Sequence, residues 1–94
     1  MNEQNIRTVH LTVKGKVQGV FYRVSAKKAA EQLGITGWVK NTAAGDVEIM
    51  ASGEQGALNQ FIDWCKEGPS EAHVTEVVTV SQDVGRFSKF TIER

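Results

Sequence analysis

The stretch Thr8-Val9-His10-Leu11-Thr12-Val13-Lys14-Gly15-Lys16-Val17-Gln18-Gly19-Val20-Phe21-Tyr22-Arg23 changes its hydrophobic period part-way along. Val9, Leu11 and Val13 alternate with Thr8, His10, Thr12 and Lys14, the period-2 mark of a strand with one buried face. From Tyr22 the spacing becomes helical: Tyr22, Ala26, Ala29, Ala30 and Leu33 share one stripe. Gly34 supplies the C-terminal stop. A strand, a loop with two glycines and a helix therefore follow one another directly.

Outward from that unit, residues 35–41 read as a second strand and 46–51 as a third. Thr42-Ala43-Ala44-Gly45 joins them as a hairpin loop, with glycine where a positive φ is expected. Leu58, Phe61, Ile62 and Cys65 form a second helical stripe, ended by Gly68-Pro69. Residues 74–81 and 87–93 supply two further strands. The order β-α-β-β-α-β plus a terminal strand predicts an α+β split βαβ sandwich, with two helices on one face of a mainly antiparallel sheet. Which strand the last one joins is left open. A helical crossover makes strands one and two parallel, so their C-terminal ends share an edge. That topology brings Arg23, after the first strand, to the same side as Asn41, which ends the second.

Ninety-four residues predict a single domain over 1–94, with residues 1–6 flexible. Such a domain buries roughly 60–65% of its unfolded surface. Eleven basic and eleven acidic residues cancel, which argues against nucleic acid or a membrane surface as partner. Cys65 is the sole cysteine, so an intrachain disulfide or a cysteine-based zinc site is excluded. The polar start Met1-Asn2-Glu3-Gln4-Asn5 argues against a secretory signal, and no apolar run is long enough to span a bilayer. The expected setting is the cytoplasm.

The candidate site is an oxyanion or phosphate cradle. A cation in the first turn of a helix is mildly unfavourable, and an anion there offsets both the arginine and the helix dipole. Guanidinium can grip phosphate through two parallel hydrogen bonds, and successive backbone amides can bind the remaining oxygens. Val17 and Val20 pin the loop. Asn41 offers a donor and an acceptor on one rigid group, suited to orienting a water. It is no base, so chemistry built on Arg23 and Asn41 must need none. His10 and His73 sit in strand patterns and read as structural, as do Trp38 and Trp64. Asp46 and Glu48 share a strand face and do not form an acid–base pair. Cys65 occupies a core position without an activating cation, Ser25 lacks a triad partner, and no metal site is expected.

Gly15-Lys16-Val17-Gln18-Gly19-Val20-Phe21-Tyr22-Arg23 resembles the first signature of the acylphosphatases. Gly37-Trp38-Val39-Lys40-Asn41, followed by Gly45-Asp46-Val47 and Gly53, is similar to their second. The resemblance runs from about Val9 to the C-terminus and implies a ferredoxin-like α/β sandwich. It implies hydrolysis of acyl phosphates to carboxylate and inorganic phosphate. The sparse chemistry of Arg23 and Asn41 fits direct attack by water without metal or cofactor, and a sandwich of this size can stand alone as a monomer. The resemblance further implies that Arg23 and the backbone amides of Gly15, Lys16, Val17, Gln18, Gly19, Val20, Phe21 and Tyr22 hold the phosphate, and that Asn41 orients the water. Two positions depart from the pattern: Ala44 where aspartate often precedes the hairpin glycine, and Tyr22 where phenylalanine is common. Two rival readings share the element order. An RNA-recognition module is disfavoured by the neutral charge and the absence of an aromatic-rich strand pattern. A regulatory domain that binds acyl phosphate without cleaving it differs from an enzyme in releasing no phosphate.

Overall fold

In the computed structural model the described residues are 6–93. They form β1 (Ile6–Lys16), α1 (Tyr22–Leu33), β2 (Thr36–Asn41), β3 (Val47–Glu54), α2 (Gln55–Glu67), β4 (His73–Gln82) and β5 (Phe90–Ile92). Residues 1–5 of the start expected to be flexible lie outside the described residues; Ile6 already pairs with Glu54. The sheet order is β4-β1-β3-β2-β5. β1 and β2 are both antiparallel to β3, hence parallel to each other, as the crossover requires. β5 runs parallel to β2 and becomes the outer strand. The C-terminal ends of β1, β2 and β5 therefore meet at one edge, and the site is built there.

β5 is shorter than the expected 87–93 because the chain must first travel from β4 at one side of the sheet to β2 at the other. It is fastened on the way. Thr8 Oγ1 donates to Ser52 Oγ at 2.9 Å, the Gly85 N–H donates to Thr8 Oγ1 at 2.9 Å, and Ser52 Oγ donates to the Gly85 carbonyl at 3.4 Å. The two buried hydroxyls thus satisfy each other and hold the crossing segment.

Strand alternation decides which face is covered. Val9, Leu11, Val13, Val39, Val47, Ile49 and Ala51 point into the core, where they meet Tyr22, Ala26 and Ala30 of α1 and Leu58, Phe61 and Cys65 of α2. α1 lies over β2 and β5, and α2 over β1, β3 and β4. The opposite face carries polar pairs, among them His10 Nε2 with Glu48 Oε2 at 2.8 Å.

One contact anchors the start of α1. The Cys65 carbonyl would find its helical donor four residues on, at Pro69, which has no N–H. The Tyr22 hydroxyl donates to it instead, at 2.8 Å. Burial holds the Tyr22 phenol well above its usual pKa and pushes the Cys65 thiol up to about 12. Both stay protonated in the folded chain while the unfolded chain ionises them, so the unfolded state then binds fewer protons and stability falls with rising pH. The urea midpoint should be flat through neutral pH and decline once pH passes the ordinary cysteine value of 9.0. The limiting slope is about 1.4 kcal/mol per pH unit for each group. A midpoint unchanged at pH 10.5 would contradict the neutral, buried pair.

Candidate active site

β1 extends through Gly15 and Lys16, which pair with Val74 and His73 of β4. A Cβ on Gly15 would stand 2.2 Å from the His73 carbonyl oxygen, so this glycine serves the approach of two strands. The loop proper is residues 17–21. Val17 and Val20 are buried and hold it against the core. Gln18 Nε2 donates to the carbonyls of Thr42 and Asp46 at 2.9 and 2.8 Å, lashing the loop to the β2–β3 hairpin. That lashing fixes the loop beside Asn41.

The loop and the end of β2 enclose a cavity of about 250 Å³. Of the expected cradle residues, Val17, Gly19, Phe21 and Tyr22 line it; Gly15, Lys16, Gln18 and Val20 do not. Arg23 and Asn41 both line it, so the structure brings together the two side chains that topology placed on one side. Val24 and Ile92 complete the wall.

Several polar groups here find no partner among the described residues. No backbone N–H from Val17 to Arg23 donates to another described residue. Phe21 occupies the N-cap position of α1 at φ 62° and ψ 23° without a side-chain cap, and the first turn carries no acid. Phe21 is the one non-glycine residue at positive φ among those described, a conformation that costs roughly 1–3 kcal/mol. Arg23 Nη1 reaches only the Glu93 carbonyl, at 3.4 Å, and no described carboxylate lies within ion-pair distance of it. Asn41 Oδ1 is buried and accepts no hydrogen bond from the described residues. Arg23, Asn41 and loop residues whose N–H groups find no acceptor among the described residues thus line one cavity, an arrangement complementary to an oxyanion.

The other candidates lie elsewhere. His10 is engaged with Glu48 on the open sheet face, His73 is exposed on β4, and Cys65 is buried under Tyr22. Trp64 packs against Tyr22 and Phe61, while Lys40 sits over the Trp38 ring at 5.2 Å. Among the described residues, no three His, Cys, Asp or Glu side chains cluster as a metal site would require.

A family model described as acylphosphatase matches residues 9–92. The chain belongs to the acylphosphatase family. An acylphosphatase of Coxiella burnetii (strain RSA 493 / Nine Mile phase I) is 46% identical over 90 residues, covering 96% of this chain and 95% of that one. A solved acylphosphatase structure from Coxiella burnetii superposes with a TM-score of 0.94 at 44% identity, covering 99% and 98% of the two chains. The acylphosphatase structure from Bacillus subtilis gives 0.91 at 31% identity, covering 94% and 99%. The acylphosphatase family likeness extends over the whole ferredoxin-like sandwich, and the activity it carries is hydrolysis of acyl phosphates. The chain is accordingly an enzyme.

Proposed function

We propose that Arg23 grips the phosphate of the acyl phosphate, that N–H groups of residues 17–22 receive its remaining oxygens, and that Asn41 orients the attacking water. The observation that carries this reading is that Arg23, Asn41 and loop residues whose N–H groups find no acceptor among the described residues line one cavity. The water oxygen bonds to phosphorus in line as the bond from phosphorus to the acyl oxygen breaks, and the carboxylate leaves with its electron pair. A carboxylate is a good leaving group, so no general acid is needed. The water's proton passes to a phosphate oxygen, because no carboxylate or imidazole stands among the described residues that line the cavity. Phosphoryl transfer of this loose type asks for positioning and for charge stabilisation on the equatorial oxygens. Asn41 supplies the first, and Arg23 with the amides supplies the second.

The reading includes a monomer, since one chain contributes every group named, and a reaction in the cytoplasm without metal. No carboxylate, imidazole or thiol stands among the described side chains that line the cavity. The purified protein should release phosphate from benzoyl and acetyl phosphate but not from a phosphate monoester, and excess EDTA should leave the rate unchanged. Loss of activity in EDTA with recovery on adding magnesium would sink the metal-free mechanism; binding of acyl phosphate without phosphate release would return the sensor reading.

A further inference from the structure

We infer that the site selects acyl phosphates whose acyl group is apolar, an aromatic or branched carboxylate seated against Phe21, Val24 and Ile92. This rests on the assignment of the Arg23 end of the cavity to phosphate. Phe21, Val24 and Ile92 are 77%, 59% and 38% exposed, and all line that one cavity. They come from three separate places in the chain: the loop end, the first turn of α1 and the end of β5. Apolar side chains left in water singly are ordinary, but three converging beside a polar site form a surface for an apolar group.

Phe21 adds a second argument. Its left-handed conformation turns Tyr22 into the core and leaves the Phe21 ring outside, a geometry glycine would adopt without strain. The turn does not need the ring; a ligand contact does. Charge points the same way. Arg23 is the only charged residue among the described residues that line the cavity. An acyl group carrying its own anion would find no second cation among those residues.

Contacts that hold the acyl group equally in substrate and transition state register in KM. Benzoyl and acetyl phosphate should be compared in the native enzyme, in Val24→Ala, in Ile92→Ala, in the double variant that combines these two, and in Arg23→Ala. The benzoyl-to-acetyl ratio of kcat/KM should fall about tenfold in the Val24 and Ile92 double variant, through KM for benzoyl phosphate. Independently of any variant, the native enzyme should bind benzoylphosphonate more tightly than acetylphosphonate. Equal ratios in native and variant enzymes, or equal phosphonate affinities, would overturn acyl selection while leaving the hydrolytic site intact. Unimpaired turnover of both substrates in Arg23→Ala would instead remove the phosphate assignment, and this inference with it.

Discussion

Arg23→Ala should lower kcat/KM for acyl phosphates by about a thousandfold or more, in the range measured when a single charge-stabilising donor or arginine is removed from acyl- or phosphoryl-transfer sites. The guanidinium is the one charged side chain among the described residues that line the cavity, so none of these neighbours can take over its role. Its link to the rest of the protein is a long hydrogen bond to the Glu93 carbonyl, and removing it should change unfolding free energy by less than about 0.5 kcal/mol. Loss of a cation from a helix N-terminus even favours the helix slightly. The expected signature is therefore a folded, inactive protein. Inorganic phosphate should raise the Tm of the native enzyme and not of the variant, because only a binding-competent folded state gains from ligand. Arg23→Lys should stay close to alanine: an ammonium keeps the charge but lacks the planar fork that holds two oxygens at once. Phosphate protection equal to the native enzyme's in Arg23→Ala would assign the anion to the amides alone.

Much of this arrangement was legible in the sequence, and for identifiable reasons. The switch from period 2 to period 3.6 between Val13 and Tyr22 reports which side chains are buried, and burial follows hydrophobicity closely in so small a core. The crossover rule then carried Arg23 and Asn41 to one edge without any knowledge of side-chain contacts. What escaped was set by single long-range hydrogen bonds. Gln18 also holds the loop through its side chain, which donates to the Thr42 and Asp46 carbonyls, a contact that nothing in its neighbours announces. Tyr22, a departure from the family pattern, uses its hydroxyl to satisfy the carbonyl that Pro69 leaves unpaired. The Gly68-Pro69 stop was the available signal for that orphan. The place of β5 depended on how residues 83–89 cross the sheet, which Thr8 and Ser52 decide from two other strands.

Asn41→Ala should separate catalysis from binding. The Asn41 backbone ends β2 opposite Val47, and alanine keeps that pairing. The change removes a buried oxygen that accepts nothing from the described residues, an arrangement that costs roughly 1–3 kcal/mol when such a group is left unsatisfied. The variant should therefore be as stable as the native chain or more so, the pattern expected where function is held at the expense of stability. Its kcat should fall by about a hundredfold to a thousandfold, as for other positioned amide donors or acceptors. Affinity for inorganic phosphate, measured as a competitive inhibitor, should stay within about threefold, since Arg23 and the loop amides remain. Asn41→Asp tests the same group from the other side. It keeps the shape but sets a carboxylate beside the bound phosphate, so phosphate affinity should drop along with kcat, and more at high pH than at low as the carboxylate ionises. The outcome that contradicts the water-orienting role is the reverse split in Asn41→Ala: kcat preserved and phosphate affinity lost. Asn41 would then be a phosphate ligand, and the water would have to be oriented by the substrate and the loop amides.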